Sequence, residues 1–269
     1  MSDTLNYYKK LWDLSDDGQP FSSYSGLLQP VLYNGIPCMV KIARREKDKR
    51  GNMLMAWWNG VAAAPVLKHD DTAILMERAL GRQSLTEMVK NGQDSEATCI
   101  ICSTVVKLHT HPKPYPEYLT PLNEGFRSLG IAVKQHGGIF TQCLEIAKRL
   151  LAEPKDIVAL HGDIHHGNIL DFGEKGWLAI DPKGFIGERG FDYANLFCNP
   201  DQATAIAPGR LDKQVKVVSE AADLEPRRLL QWIAAWAGLS AAWCIEDGEA
   251  PETAMTIARI ALHKLNDIG

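Results

Sequence analysis

The 269-residue sequence lacks the basic surplus of a nucleic-acid binder and the apolar leader of an exported protein. Its 29 lysine and arginine residues stand against 33 aspartate and glutamate residues, which gives a formal net charge of −4. Because a protein that binds nucleic acid needs positive charge to neutralise phosphates, we expect no nucleic-acid partner. Charged residues are scattered through residues 1–18, which therefore lack the apolar core of a signal peptide.

The sequence also contains no long uninterrupted apolar run. The longest apolar stretch, residues 229–245, includes Gln231, Gly238 and Ser240 and is at the short limit for crossing a bilayer, so it predicts a buried helix. The six cysteines lack the spacing of a disulfide scaffold, and no repeat or low-complexity tract is present. We therefore expect a reduced cytoplasmic protein with no membrane partner.

The patterns that are present divide the chain into two parts. In the first part, a turn at Tyr33-Asn34-Gly35 joins two apolar strands, and a helix is predicted over residues 46–58. After Gly81 the apolar periodicity becomes helical, most clearly over residues 84–91, 94–109, 139–152 and 226–245. This pattern predicts an α+β protein with a β-rich lobe over residues 1–78 and a helical lobe over residues 79–269.

Polar side chains crowd into residues 161–168, directly before a predicted hairpin. The apolar runs 169–172 and 177–180 form the hairpin, and pairing Phe172 with Trp177 places Asn168 opposite Asp181. An amide oxygen and a carboxylate at one end of a hairpin suit Mg²⁺, and Asp163 lies just upstream. A base for an incoming hydroxyl group and a metal site for phosphates are what phosphoryl transfer needs.

This segment resembles the catalytic loop of aminoglycoside phosphotransferases and of the wider protein-kinase-like fold. The resemblance extends to the streptomycin 6-kinase (aminoglycoside/hydroxyurea antibiotic-resistance kinase) family through the blocks HGDIHHGNILDF, GWLAIDPKG, GERGFDYANLFCNP and LLQWIAAWAGLSAAW. It implies a bilobal fold and a transfer of phosphate from ATP, with Mg²⁺, to the 6-hydroxyl group of streptomycin. It also implies that Asp163 is the catalytic base and that Asn168 and Asp181 bind the metal.

The resemblance assigns further residues to the nucleotide. Lys41 matches the lysine that binds phosphates, and its apolar neighbours leave its ammonium group in need of an anion. Asp48 aligns best with the helix glutamate that holds this lysine, and Glu46 lies nearby. Ser23 and Ser25 fall in the loop expected to cover the phosphates, where hydroxyl and backbone donors suit anions.

The remaining expected positions are the hinge, the loop supports and the acceptor pocket. Backbone groups of Glu77 and Ala79 are expected to bind adenine, with Met76 at the back of the pocket. His161 and Asp192 are expected to support the catalytic loop. The acceptor would be a small aminoglycoside, with guanidinium groups that attract carboxylates; the candidates for binding it are His165, His166, Glu188, Glu246, Asp247 and Glu249.

Two other interpretations stay open from the sequence. The same core suits a kinase of hydroxyurea or of another small hydroxylated metabolite, because specificity depends on the helical lobe. A pseudokinase is the second alternative, although Lys41 and the catalytic-loop residues are intact. The triplet Asp171-Phe-Gly has the same residues as the magnesium motif of protein kinases. It lies only three residues past Asn168, within the first hairpin strand, which is too close for Asp171 to face Asn168. We therefore assign the metal role to Asp181.

Overall fold

A computed structural model describes residues 2–267, with a β-rich N-terminal part and a helical C-terminal part. The N-terminal part forms one antiparallel sheet with strand order β1-β3-β4-β6-β5, and β2 pairs with β3. Its elements are α1 (Ser2–Leu11), β1 (Ser15–Asp16), β2 (Phe21–Ser22), β3 (Gly26–Tyr33), β4 (Ile36–Ala43), α2 (Glu46–Trp58), β5 (Val66–His69) and β6 (Ala73–Glu77).

Local sequence signals explain the elements of this part. Asn34 and Gly35 both have positive φ, 50° and 78°, as the tight turn between β3 and β4 requires. Helix α2 ends at Asn59, whose left-handed conformation stops the helical hydrogen bonding. The predicted hairpin and the predicted helix over residues 46–58 are therefore confirmed.

The C-terminal part is built around one long buried helix. Its elements are α3 (Leu85–Lys90), α4 (Asp94–His109), β7 (Thr120–Pro121), α5 (Leu122–Gly125), α6 (Arg127–His136), α7 (Ile139–Ala152), β8 (Ile157–Leu160), β9 (Ile169–Asp171), β10 (Trp177–Ala179), β11 (Phe185–Glu188), α8 (Gly190–Ala194), α9 (Gln202–Ala205), α10 (Arg210–Ala222), α11 (Pro226–Asp247) and α12 (Glu252–Asp267). Helix α11 packs against α12, α7, α8 and α6, which confirms the predicted buried helix. Within the described residues, no helix has the length and apolarity to span a bilayer.

Packing across the two parts fixes the β9–β10 hairpin relative to the sheet. The larger hydrophobic core takes in Leu54 and Trp58 of α2 together with the helices of the C-terminal part. Backbone hydrogen bonds of 2.9 Å join Ala179 of β10 to both Ala62 and Ala64, which follow α2. The hairpin that carries the site and the helix beside the sheet are thus parts of one packed unit. The lobe boundary at residue 78 stays a prediction.

The β9–β10 hairpin has a register one residue away from the predicted one. Trp177 pairs with Asp171, whereas the sequence pattern suggested Phe172 as its partner. A single 3₁₀ turn over Gly173–Lys175 fills the connection, and Phe172 belongs to that longer loop. The predicted placement of Asn168 directly opposite Asp181 is therefore wrong.

Candidate active site

The loop between β8 and β9, residues 161–168, is anchored by one buried carboxylate. Asp192, only 1% exposed, accepts hydrogen bonds from the backbone N–H groups of His161 (2.9 Å) and Gly162 (2.7 Å). His109 at the end of α4 contacts the same carboxylate through Nε2 at 2.9 Å. Gly162 has a φ of +80°, and a Cβ there would lie 2.6 Å from the ring of Phe185, so the loop requires glycine.

His161 joins the loop to the hairpin. Its Nδ1 accepts a hydrogen bond from the N–H of Asp163 at 3.2 Å, so the proton lies on Nε2, which donates to the carbonyl oxygen of Ile180 at 2.8 Å. Complete burial lowers the pKa of His161, which keeps the ring neutral. This side chain fixes the backbone and holds the residue before Asp181 in place.

Replacing Asp192 by alanine is expected to destabilise the protein by about 3 kcal/mol, because it leaves buried donors without an acceptor. The loop would lose its anchor, and kcat would fall through misplacement of Asp163. Thermal unfolding and steady-state kinetics measure the two effects. A variant with unchanged melting temperature and kcat would show that the loop holds its conformation without this carboxylate.

The side chain of Asp163 is oriented by two neighbours, and a third neighbour binds its backbone. Asn195 Nδ2 donates to Oδ1 at 3.0 Å, and Lys183 Nζ lies 3.0 Å from Oδ2. The carbonyl oxygen of Asp163 accepts a hydrogen bond from Asn168 Nδ2 at 2.9 Å. The carboxylate is partly exposed and lines a cleft, so an acceptor hydroxyl group has access to it.

Asp181 leaves the hairpin in an unusual backbone conformation. The N–H of Ile180 donates to the carbonyl oxygen of Asn168 at 2.9 Å, so pairing continues to the residue before Asp181. Asp181 itself has a φ of +60°, which is uncommon for a residue other than glycine and often occurs at functional sites. This turn, rather than cross-strand pairing, directs its carboxylate toward the sheet.

The carboxylate of Asp181 is surrounded by cationic and hydroxyl groups. Its Oδ1 forms an ion pair with Lys41, while Oδ2 lies 3.2 Å from Lys183 Nζ and accepts a hydrogen bond from Ser25 Oγ at 3.1 Å. Burial alone would raise its pKa, but the two lysines outweigh burial and lower the pKa to about 2. The group is an anion throughout the physiological range.

The oxygen atoms present fit a hard divalent cation bound together with phosphates. The amide group of Asn168 donates through Nδ2, and within the described residues its Oδ1 accepts no hydrogen bond and is available as a ligand. One amide oxygen and the Asp181 carboxylate match the small protein ligand set of Mg²⁺, whose other positions are filled by phosphate oxygens and water. The described residues contain no cluster of three His, Cys, Asp or Glu side chains for a metal held by protein alone.

The sequence suggested that a carboxylate of α2 pairs with Lys41. In the structure, neither Asp48 nor Glu46 does so. Asp48 is 2% exposed and accepts hydrogen bonds from the N–H and the guanidinium group of Arg45 at 2.9–3.0 Å, which caps α2. Glu46 pairs with Lys49 at 2.6 Å. The Asp48 carboxylate is bound by Arg45 at the start of its own helix and does not reach Lys41. Asp181 is therefore the partner of this buried lysine.

The expected nucleotide-binding residues lie in the turn between β2 and β3 and at the end of β6. Ser23 Oγ and Ser25 Oγ lie 3.3 Å apart in the turn between β2 and β3. Met76 is buried at the end of β6, and the N–H of Glu77 donates to the carbonyl oxygen of Pro65 at 2.9 Å. Within the described part of the chain, the N–H of Ala79 donates no hydrogen bond, so this donor is free for a ligand.

Asp163 opens onto a cleft of about 740 Å³ between the two parts. Exposed carboxylates from α5 and from residues 246–249, at and after the end of α11, line its wall together with three aromatic rings and four cationic side chains. The carboxylates are Glu124, Glu246, Asp247 and Glu249, and the rings belong to Tyr24, Phe185 and Trp243. Glu124 was missed from the sequence because its helix of four residues gives no periodic signal.

Three of the expected acceptor residues are not among the side chains that line this cleft. Glu188 is 4% exposed and accepts hydrogen bonds from Arg228 and from Trp232 Nε1, so it is an internal anchor of α11. His166 is buried beneath the loop, where desolvation lowers its pKa to about 4. His165 accepts a hydrogen bond from the N–H of Gly167 and lies 4.0 Å from Asp163 Oδ1. The sequence around these three residues does not show whether their side chains point into the cleft.

Comparison with known proteins identifies the family of the chain. The family model for aminoglycoside/hydroxyurea antibiotic resistance kinases matches residues 11–248. The chain belongs to this kinase family. It is 44% identical over 242 residues to a streptomycin 3''-kinase of Klebsiella pneumoniae, covering 88% of this chain and 91% of that protein. It is 27% identical over 260 residues to a streptomycin 6-kinase of Streptomyces griseus, covering 88% and 80%.

Structural comparison confirms the predicted protein-kinase-like α+β fold of this kinase. The choline kinase of Streptococcus pneumoniae aligns over 99% of this chain and 98% of its own, with a TM-score of 0.66 at 13% sequence identity. Membership of the resistance-kinase family, expected from the sequence blocks, is likewise confirmed. Lys183 contacts both carboxylates of the site. It was not predicted from the sequence, because only Asp181 was considered in the block that contains it.

Proposed function

We propose that this kinase inactivates streptomycin by transferring the γ-phosphoryl group of Mg·ATP to its 3''-hydroxyl group. The observation that carries this proposal is the cleft that opens onto Asp163, whose lining combines five carboxylates with three aromatic rings and four cationic side chains. Streptomycin carries two guanidinium groups on its streptidine ring, and guanidinium groups bind carboxylates and stack on aromatic rings. The cleft offers both kinds of partner beside a carboxylate placed to meet an acceptor hydroxyl group.

The position of phosphorylation is inferred from the two streptomycin-kinase relatives. Identity to the 3''-kinase is 44%, against 27% to the 6-kinase, and both alignments cover 88% of this chain. The 3''-hydroxyl group is therefore our proposed acceptor. The 6-hydroxyl group expected from the sequence blocks is the second candidate, and the position of the phosphate in the product distinguishes the two.

The mechanism relies on positioning and on charge. Asp163, held by Asn195, orients the acceptor hydroxyl group and receives its proton as the oxygen attacks the γ-phosphorus. Lys41 and the Ser25 hydroxyl group contact the two oxygens of the Asp181 carboxylate and would donate hydrogen bonds to phosphate oxygens bound there. Mg²⁺, held there by Asn168 and Asp181, would neutralise phosphate charge. No covalent enzyme intermediate is needed.

Replacing Glu124 and Glu246 together by glutamine is expected to raise the KM for streptomycin about tenfold, because each exposed ion pair contributes about 0.2–1 kcal/mol. The kcat should stay near the wild-type value, since these carboxylates bind the ground state and the transition state equally. Steady-state kinetics at saturating ATP measure both constants. Glu220→Gln, an exposed carboxylate on α10, is the matched control. An unchanged KM in the double variant would place the guanidinium groups elsewhere.

A coupled assay of ADP release tests the proposed activity. The panel contains streptomycin, kanamycin, a spectinomycin-type aminocyclitol, hydroxyurea and a sample without acceptor, each with Mg·ATP. Turnover with streptomycin alone supports the proposal. Turnover with hydroxyurea alone would favour the small-metabolite kinase, and nucleotide binding without turnover of any acceptor would favour a pseudokinase.

A further inference from the structure

Lys183 is held rigidly at the centre of the site. It follows Pro182 in the connection between β10 and β11, and its N–H donates to the carbonyl oxygen of His161 at 2.7 Å. Its Nζ lies 3.0 Å from Oδ2 of Asp163 and 3.2 Å from Oδ2 of Asp181. With a side chain 17% exposed, Lys183 is a partly buried cation that bridges the two carboxylates.

The two lysines at the site contact different oxygens of the Asp181 carboxylate. Lys41 pairs with Oδ1, on the side of the sheet. Lys183 contacts Oδ2 and reaches across to Asp163, on the side of the acceptor cleft, which it also lines. If the donor phosphates bind beside Asp181 and the acceptor hydroxyl group binds beside Asp163, the phosphoryl group passes between these two carboxylates. The ammonium group of Lys183 stands on that path.

We propose that Lys183 is a catalytic residue that stabilises the phosphoryl group during its transfer. This inference rests on the proposed function, in which ATP is the donor. The bond between the γ-phosphorus and the β–γ bridging oxygen breaks, and its electron pair leaves with ADP. The acceptor oxygen bonds to phosphorus, and its proton passes to Asp163. Lys183 keeps its protons and donates hydrogen bonds to the non-bridging oxygens, where the charge is spread in the transition state.

A purely structural lysine would give a different result. If Lys183 served only to hold Asp163 and Asp181 together, its loss would weaken nucleotide binding and stability as well as turnover. A group that contacts only the phosphoryl group in transfer affects kcat with little change in substrate binding. The split between kcat and binding therefore decides the question.

The test compares Lys183→Met and Lys183→Arg with Lys216→Met, an exposed lysine on α10. Lys183→Met is expected to lower kcat about 100-fold, while the KM values for ATP and streptomycin change less than about threefold. Lys183→Arg keeps the charge in a larger, planar group and is expected to retain about a tenth of wild-type kcat. Lys216→Met should behave as wild type.

Binding measurements provide a second readout. With aluminium fluoride, Mg·ADP imitates the transferring phosphoryl group, and the wild-type protein is expected to bind this combination much more tightly than Mg·ADP alone. Lys183→Met should keep the Mg·ADP affinity and lose about 100-fold of the tightening. Loss of Mg·ADP affinity in proportion to kcat would overturn the proposal, as would a wild-type kcat.

Slow hydrolysis of ATP by water separates this inference from the proposed function. If the wild-type protein hydrolyses ATP but does not phosphorylate streptomycin, the choice of acceptor is wrong, and the effect of Lys183→Met on hydrolysis still decides the role of Lys183. If Lys183→Met fails to fold, Lys183→Arg decides it. A Lys183→Arg variant whose Mg·ADP affinity falls in proportion to its kcat would then overturn the proposal.

Discussion

Replacing Asp163 by asparagine is expected to lower kcat about a thousandfold, because a positioned base contributes about 10²–10⁴-fold to proton transfer. Asparagine keeps the shape and can still accept a hydrogen bond from Asn195, but it cannot take the acceptor proton. Mg·ADP affinity should stay within about threefold of wild type, since the proposed mechanism assigns Asp163 to the acceptor and not to the nucleotide. Coupled kinetics and calorimetric titration with Mg·ADP measure the two quantities.

Asp171 supplies the matched control for this variant. It belongs to the triplet that imitates a magnesium motif, yet its carboxylate accepts hydrogen bonds from the N–H groups of Gln83 (3.1 Å) and Gly173 (2.8 Å). Asp171→Asn should therefore change kcat by less than about threefold. If Asp163→Asn kept near-normal turnover, or if Asp171→Asn lost it, the assignment of the base would be wrong.

Replacing Asp181 by alanine is expected to abolish the Mg²⁺-dependent part of nucleotide binding and to destabilise the protein by about 3 kcal/mol. Lys41, only 4% exposed, would be left as a buried charge without its partner, which accounts for the loss of stability. Thermal melting with and without Mg·ADP reports both effects, because a ligand that binds only the folded state raises the melting temperature.

Asp94→Ala separates the two effects of the Asp181 variant. Asp94 forms a partly buried ion pair with Arg210 at 2.8 Å, in the packing between α4 and α10. Its loss should lower the melting temperature without changing the shift that Mg·ADP produces. A nucleotide-induced shift of wild-type size in Asp181→Ala would contradict the role of Asp181 in the metal site.

The sequence predicted the elements that local signals determine. The turn at Asn34-Gly35 and the helix ending at Asn59 depend on backbone conformations that these residues adopt readily. Helix α11 could be recognised because its apolar residues cover every face. The hairpin register failed by one residue, since the sequence does not show that a 3₁₀ turn would draw Phe172 into the loop.

Side chains whose roles depend on distant partners were harder to predict. The positions of Asp48 and Glu188 along the chain suggested roles in the site. In the folded protein, Asp48 instead forms an ion pair with Arg45, and Glu188 forms one with Arg228. Glu124 reaches the cleft through a very short helix that has no sequence signature. Such pairings depend on tertiary packing, which neither periodicity nor motif spacing contains.

The most direct test of the account is to identify the product formed from streptomycin and Mg·ATP by ³¹P and ¹H NMR. We expect one phosphate monoester per streptomycin, coupled to the proton on the carbon of the 3''-hydroxyl group, and no ester when Asp163→Asn replaces the wild-type protein. An ester on the 6-hydroxyl group would contradict the proposed position. The absence of any ester with active, nucleotide-binding protein would contradict the proposal that this kinase phosphorylates streptomycin.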